Sequence, residues 1–541
     1  MRIEYSELPG FRNLFLDYIN DFESVEKFFK KNFRNNDDYL KTFTELDDFS
    51  APLRAKIVEI IKNQYDAYRI SKQTESNIAS LLNKKTFTIV VSGQTKIFGG
   101  SMDTIYKAIT VIKLTNLLNE KYNDYNFIPI FWMDADNHNF EDSSVIKIFT
   151  PNNSVLPIKY DDGLDDEIER GAIGNISFNN NIELTLADLQ DGLNGYNFKE
   201  NIFQFISKIY KPGIRFKDAF KKLLLSLFDE YGLIIFDPQD SAVKKLLIPI
   251  FEKEIINYRH HTTTNVLCSA ELEEFYHTEV KVNPINIYYS DQTGRHLIEP
   301  TENGFGFRGK RKKTVQEDLL HMLHTNPEMF SAGELLLPVC QSFLFPVSVI
   351  IGNESDINCF AQVIPNYHFF NVVQPMVFPR SSATIIEADM LSVMKRYNLG
   401  LQSFTLDGKN LTEKIIKQIS EFNVEEMFST TESKIKEQLN LLTNNLLAVD
   451  TVLIDTIEKT LSTIDNALLA LKEKTQNIET QKHQKIIAQL QSIKQIIFPN
   501  NGLQENELNF ISFAGKYGLD IIKWIITELK TNLIEHQILE I

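Results

Sequence analysis

The sequence predicts an α/β protein, with a parallel sheet at its centre, inserted segments around it and an α-helical coiled coil towards the C-terminus. Three observations carry this. First, Thr86–Asp142 reads as strand, loop, helix, strand. Phe87–Val91 and Phe127–Met133 are short apolar runs of buried-strand type. Between them, Ser101–Lys121 sets Ile105, Ala108, Ile109, Ile112, Leu117 and Leu118 on one helical face. A right-handed crossover of this kind makes its two strands parallel. Second, strand-length apolar runs recur at Val145–Phe149, Leu233–Phe236, Val347–Ile351, Met376–Phe378 and Thr384–Ile386, with helical stretches among them. Third, residues 409–498 contain neither Gly nor Pro and carry apolar residues at alternating spacings of four and three.

Ligands of parallel sheets bind beyond the carboxyl ends of the strands. The two ends here are Ser92-Gly93-Gln94 and the run from Asp134 to Asn139. Ser92–Ser101 reads as a loop in which Gly99 and Gly100 allow close backbone approach and positive φ. The helix that follows offers free N–H groups and a positive dipole end, suited to a phosphate or carboxylate. A tight strand-to-helix turn without ligand explains the same residues, since neither dinucleotide nor P-loop glycine spacing is present. At the second end, His138 is a candidate phosphate ligand or general acid/base, and Asp136 a partner for an amine or a metal-bound nucleotide. Asn139 completes this polar turn, and a solvated turn is the competing explanation.

The other elements follow in order. Residues 1–85 read as mostly helical, with amphipathic stretches at Phe22–Phe33 and Pro52–Leu82. Pro151–Asn181 is polar and projects as an insertion; its acidic run from Asp161 to Glu169 is better explained as solvated loop than as a metal site. A helical stripe of Phe216, Phe220, Leu223, Leu224 and Leu227 leads to Tyr231-Gly232, where a C-cap glycine ends the helix. Asp237 then sits at another strand end, a candidate for a ribose hydroxyl or a turn initiator before Pro238. His260 and His261 are adjacent; on a strand they point opposite ways and make no joint site. Val280–Tyr289 alternates, turns at Asp291–Gly294 and returns at Arg295–Ile298, a hairpin. The basic run Arg308–Lys313 is a solvated loop or a contact for an anion. Helices are expected at Thr314–His324 and Ala332–Leu344. Arg380 is a candidate clamp for carboxylate or phosphate because its planar fork binds both bidentately.

In the C-terminal stretch Ile435, Leu439, Leu442, Leu446, Val449 and Leu453 form one heptad series. Ile454, Ile457, Leu461, Ile464, Leu468 and Leu471 form a second, and Ile486, Leu490, Ile493 and Ile497 resume it. The pattern slips near Leu453 and again at Thr475–Glu479, which favours an antiparallel helical hairpin over one rod. A leftover apolar face, Leu441, Leu447, Ile454 and Leu469, predicts self-association. Residues 499–541 are expected to be helical, packing back with Trp524 in the core. The predicted organisation is thus a core of residues 1–408 with inserts at about 151–195 and 262–330, a coiled coil at 409–498 and terminal helices at 499–541.

Composition bounds function. With 541 residues, 43% hydrophobic and 24% charged, the chain has globular proportions. A net charge of −16 argues against nucleic acid and anionic membrane as partners. Cys268, Cys340 and Cys359 are odd in number and far apart, giving neither disulfide frame nor zinc site. No apolar run is long enough to span a membrane, and MRIEYSELPGF lacks a signal core, so a cytoplasmic location is expected.

The stretch SGQ…IFGG…TIYKAI…IKL, with NEKYNDYNFIPIFWM and His138-Asn139-Phe140-Glu141, resembles the cysteine ligases of bacillithiol biosynthesis, the BshC family. The resemblance continues through GIRFKDAFKKLLLSLFDEYGLIIFDPQD (Gly213–Asp240), FSAGELLLPVCQ (Phe330–Gln341), PMVFPRSSATIIE (Pro375–Glu387) and IFPNNGLQENELNF (Ile497–Phe510), in the family's order. It implies a nucleotidyltransferase-like Rossmann core, a coiled-coil homodimer, and ligation of L-cysteine to glucosaminyl-malate with activation by ATP, accompanied by Mg2+. On that reading Gly99 and Gly100 admit phosphates, Ser92 and Gln94 orient substrate, and Lys107 reaches a phosphate. Ser92, Gly93, Gln94, Asn139 and Asp237 complete the cofactor-binding set with them, and His138, Asp136 and Arg380 serve the chemistry. The chain departs from the family's Glu-Asp-His-Asp loop at Asp136-Asn137-His138-Asn139, and from its Gly-Gln-Gln loop at Gly93-Gln94-Thr95. Two other readings follow from these departures: a non-catalytic ligand-binding homodimer of the same fold, or an amino-acid ligase with another acceptor.

Overall fold

β-Branched and aromatic runs with no polar alternation build the central sheet, because helices cover both of its faces. In the computed structural model its strands are β1 (Thr86–Gln94), β2 (Asn126–Asp134), β3 (Ile234–Phe236), β4 (Val347–Gly352) and β5 (Met376–Pro379). They lie in the order β5-β4-β1-β2-β3, all parallel. The structure describes residues 2–165, 168–405, 408–419, 423–447, 454–532 and 534–541. The chain up to Thr384 together with Gly502–Leu539 forms one compact unit, and Ile385–Asn501 with Glu540–Ile541 forms a second.

Helix α1 (Met102–Lys121) makes the crossover from β1 to β2. It is buried nearly all round at its start, where Ile105, Tyr106, Ala108 and Ile109 are at most 1% exposed. β1 and β2 pair in register through to Gln94 opposite Asp134. Chain order runs outward from β1 through β2 to β3 on one side and through β4 to β5 on the other. The order in which the chain adds strands therefore reverses between β1 and β4, where a crevice opens beyond the strand ends. Ser92, Gly93 and Gln94 are the last residues of β1 rather than the loop expected of them. Gly93 is required there, since a Cβ would stand 2.3 Å from the Phe131 ring on β2.

Several elements differ from expectation. His260 and His261 lie within a 33-residue helix, α2 (Ser241–Glu273), not on a strand. Pro249 inside that helix, and the non-helical dihedrals of Asn257, mask its periodicity in the sequence. His261 is fully buried and hydrogen-bonded to Asn366 at 2.8 Å. A second unforeseen helix, α3 (Glu354–Phe370), follows β4; Asn353 and Asp356 form a reciprocal capping box. Only Leu337–Leu344 of the expected Ala332–Leu344 helix is helical, because Phe330–Ala332 pairs as a strand with Ile287–Asp291. That strand belongs to an antiparallel sheet with Gly294–Thr301, Gly304–Phe307 and Lys313–Thr314, which contains the expected hairpin. The chain terminus is not all helix: His536 and Gln537 pair with Ile3 and Arg2 in a short sheet. Trp524 is only half-buried, and it is Trp132 on β2 that is fully buried.

In the second unit, Val424–Leu447 and Ile454–Lys482 pack side by side. Lys472 pairs with Glu425 at 2.6 Å, which fixes them antiparallel. The second helix runs through Thr475–Glu479 and ends at Lys482, after which Gln484–Ile497 forms a separate helix. Val449 and Leu453 of the predicted heptads, and Asp166 and Glu167 of the acidic run, lie outside the described residues, as do the side chains of Leu446, Leu447 and Ile454.

Candidate active site

A cavity of about 530 Å³ lies in the crevice between β1 and β4. The end of β1 contributes Ser92, Gly93 and Gln94, the start of α1 contributes Ser101, Asp103, Thr104 and Lys107, and the end of β2 contributes Asp134. Glu279, Glu334, Gln341, Asn353, Asp356 and Cys359 close it. Gln341 donates to the Ser92 hydroxyl at 2.6 Å, which leaves the Ser92 O–H to donate elsewhere. Gln341 is wholly buried, and its carbonyl oxygen has no partner among the described residues.

Five carboxylates line the cavity (Asp103, Asp134, Glu279, Glu334 and Asp356) against the two ammonium groups of Lys96 and Lys107. Both lysines are already engaged. Lys107 lies 2.7 Å from Asp356 and 3.4 Å from Asp103, and Lys96 lies 2.7 Å from Asp142. Burial alone would lower the Lys107 pKa, but Asp103 and Asp356 hold it above the ordinary lysine value. Of the five carboxylates, Asp103 is answered by Lys107 and Arg380, Asp356 by Lys107 and Glu279 by Arg12, so Asp134 and Glu334, without an ion-pair partner among the described residues, are the two that favour a ligand carrying an amine.

Asp134 is its most unusual group. Burial, reinforced by Asp136 and Glu334, pushes its carboxyl up to about 6, although Arg295 pulls the other way. A carboxyl that titrates near neutrality beside a cavity suits proton exchange with an amine. Cys359 also lines the cavity, but burial drives its thiol far above the thiolate range.

The remaining predicted residues are placed elsewhere. Gly99 and Gly100 have positive φ, +84° and +72°, as the loop requires. The space above them is filled by the chain itself, however: a Cβ would meet Leu223 at 2.9 Å from Gly99 and Lys96 at 3.1 Å from Gly100. Neither lines the cavity. With Lys107 sealed between two carboxylates, these residues do not fit a phosphate cradle.

Arg380 is 5% exposed, with Nη2 2.6 Å from Glu505 and Nε 2.9 Å from Asp103. Its fork is spent on the protein, so it acts behind the cavity through Asp103 rather than as a substrate clamp. Asp136 pairs with Lys244 at 2.6 Å, Asn139 caps the short helix Phe140–Ser143, and Asp237 pairs with Lys217 at 2.8 Å and accepts from the Gln239 amide. These three are occupied in structural roles. His138 is exposed, apart from the cavity lining, and its Nδ1 lies 3.3 Å from Arg295 Nη1. Partial desolvation first, and Arg295 second, lower its pKa, so it is neutral rather than an imidazolium.

Asp134, Glu334, Gln341, Asp356 and Arg295 are the site residues that sequence reasoning missed. Asp134 ends a correctly read strand and could have been found there. Glu334 and Gln341 stand inside FSAGELLLPVCQ, a segment singled out for resemblance alone. Nothing local marks Arg295, which the hairpin fold delivers. Among the described residues, no cluster of His, Cys, Asp or Glu is arranged to hold a metal ion.

A parallel sheet with a polar crevice at its reversal point, followed by a helical-hairpin unit, defines a Rossmann-like α/β protein with a C-terminal coiled coil. Two family descriptions match it: "Bacillithiol biosynthesis BshC, N-terminal Rossmann-like domain" over residues 1–381, and the corresponding "C-terminal coiled-coil domain" over residues 383–541. The chain belongs to the BshC family of bacillithiol biosynthesis. It is 28% identical to a protein of Salinibacter ruber over 536 residues, covering 98% of this chain and 96% of that one. It is 26% identical to a protein of Chloroherpeton thalassium (98% and 96% covered) and 27% identical to one of Chlorobium phaeobacteroides (100% and 99% covered). All three carry the name "Putative cysteine ligase BshC". Among the described residues, no helix is long and apolar enough to cross a membrane.

Proposed function

We propose that this chain joins the carboxyl of L-cysteine to the amine of glucosaminyl-malate, forming the amide of bacillithiol. The observation that carries the reading is Asp134, a carboxyl raised to about 6 at the edge of an acidic cavity. An amine reaches the cavity as ammonium, drawn by its carboxylates, and must lose a proton before it can attack. Asp134 is the group placed to take that proton. Ser92, held by Gln341, presents a hydroxyl donor to the cysteine carboxyl. A free carboxylate is a poor acyl donor, and ATP is proposed as the source of activation.

The reaction is proposed to be cytoplasmic, where free cysteine stays reduced, and the protein to work as a homodimer. Support for the dimer comes from the helical hairpin, where Leu441, Leu442, Leu469, Leu471 and Ile478 are each at least 50% exposed. The test is thiol profiling of the source organism with and without the gene, alongside mass spectrometry of purified protein supplied with cysteine, glucosaminyl-malate, ATP and Mg2+. Loss of bacillithiol on deletion, with accumulation of glucosaminyl-malate, is expected. An unchanged thiol pool would overturn the reading.

A further inference from the structure

Arg295 is a cation that the protein leaves uncommitted. Its guanidinium stacks on Tyr288, 3.9 Å from the ring centroid. Nε donates to Ser331 at 3.0 Å, Nη2 to the Ala332 carbonyl at 2.8 Å, and Nη1 reaches His138 Nδ1 at 3.3 Å. These three bonds use three of its five N–H groups, leaving one on each terminal nitrogen. Every other arginine near the strand ends has a carboxylate partner, as Arg380 and Arg170 do. Among the described residues, none lies within salt-bridge distance of Arg295. The nearby Asp136 is committed to Lys244.

The surroundings single out the same point. Arg295, on the strand Gly294–Thr301, is half-buried, held flat by Tyr288 and aimed by its two bonds to the neighbouring strand Phe330–Ala332. His138 accepts through Nδ1, so its proton sits on Nε2, a further donor on the exposed side. Arg295 is close enough to Asp134 to act on its titration. A fixed guanidinium thus stands beside an acidic cavity that takes an amine.

We propose that Arg295, braced by Tyr288 and flanked by His138, is a carboxylate-binding subsite that anchors the dicarboxylate arm of the acceptor while its amine lies towards Asp134. This rests on the reading of the cavity as the acceptor site. It makes Arg295 a specificity-determining residue: acceptors without a carboxylate arm lose this anchor.

The probe is L-malate alone, titrated calorimetrically into the full-length protein, so that the readout is independent of ligation. Wild type is expected to bind it. Arg295→Gln should weaken binding about tenfold or more, and Arg295→Lys should recover only part, since an ammonium keeps the charge but loses the fork and the stack. His138→Ala, at an exposed position, should weaken binding by a smaller factor and provides the comparison if Arg295→Gln fails to fold. In assays, Arg295→Gln should raise KM for glucosaminyl-malate and leave KM for cysteine unchanged. Failure of wild type to bind malate, or equal affinity in wild type, Arg295→Gln and His138→Ala, overturns the subsite. Arg295-dependent malate binding in a protein that ligates nothing upholds the subsite and overturns the proposed reaction. Normal ligation with an unchanged acceptor KM in Arg295→Gln does the reverse.

Discussion

Lys107 and Asp356 form an ion pair at 2.7 Å whose lysine is 7% exposed, and the pair ties helix α1 to the cap of α3 at the floor of the cavity. Removing one member of such a pair leaves the other buried and uncompensated. Lys107→Met is expected to cost about 3–5 kcal/mol of stability, because Asp356 then loses its cation and Asp103 keeps Arg380 alone. Urea denaturation measures this. A variant as stable as wild type, but defective in nucleotide binding, would return Lys107 to the phosphate role its sequence position suggests.

Asp134→Asn separates proton transfer from folding. Wild-type ligation should show an acidic limb near the pKa of about 6. In Asp134→Asn that limb should vanish and the rate should fall about a hundredfold or more. Stability should move the other way. The folded pKa lies above the unfolded value, so Asp134 favours the fold fully below pH 3.8 and loses that contribution as pH rises through about 6. Asparagine removes the resulting penalty. The variant is expected to gain roughly 1–3 kcal/mol at pH 8 and almost nothing at pH 3, by thermal melts at both.

How far the sequence predicted the fold depended on periodicity. β1 and β2 were legible as short uninterrupted apolar runs, and α1 as the stretch between them that carries apolar residues at helical spacing. α2 was not, because Pro249 and the kink at Asn257 interrupt its stripe. α3 was not either, because the short polar residues of its capping box, Asn353 and Asp356, suit a turn equally well in sequence. For the site, position could be read and commitment could not. Arg380, Asp136 and Lys107 are correct residue types near the strand ends, but their charges are cancelled by Glu505, Lys244 and Asp356 from distant parts of the chain. Arg295 is the converse case, ordinary in sequence and uncommitted in the fold.

Gly100 tests backbone rather than ligand. At φ +72°, with Lys96 carbon atoms 3.1–3.2 Å from the position a Cβ would take, Gly100→Ala should cost about 1–2 kcal/mol. Gly100→Asp would lose stability for the same reason, so a fall in activity there is not evidence for a phosphate site. Equal melting temperatures for Gly100→Ala and wild type would contradict the strain.

His536 is completely buried, with Nδ1 2.6 Å from the Ser382 hydroxyl and Nε2 2.8 Å from that of Thr384. Burial holds its pKa down at about 4, against 6.5 for an exposed imidazole. Protonation therefore favours the unfolded chain. The contribution is complete above pH 6.5 and is lost as pH falls through about 4, amounting to roughly 3 kcal/mol. His536→Gln, which cannot take up a proton, should flatten the stability profile between these pH values. A variant with the wild-type acid slope would show that other groups govern it.

The last prediction concerns assembly. Within one chain, the heptad seam of the helical hairpin is incompletely covered. Ile435, Leu439, Ile457, Leu461, Ile464 and Leu468 are half-buried, whereas Leu442 and Leu471, from the same series, are 52% and 56% exposed. Leu441 and Leu469, from the leftover face, are 55% and 53% exposed. Apolar stripes of this extent require a partner, and a two-fold contact with a second copy covers both stripes at once. A dimer is therefore expected at micromolar concentration by light scattering. Leu442→Glu with Leu471→Glu places charges on the exposed part of the seam and should give monomers with unchanged helicity by circular dichroism. Leu441 and Leu469 replaced in the same way should weaken the dimer if the contact extends to the second face. A wild-type monomer at that concentration would refute the assembly, and so would a dimer that survives all four substitutions.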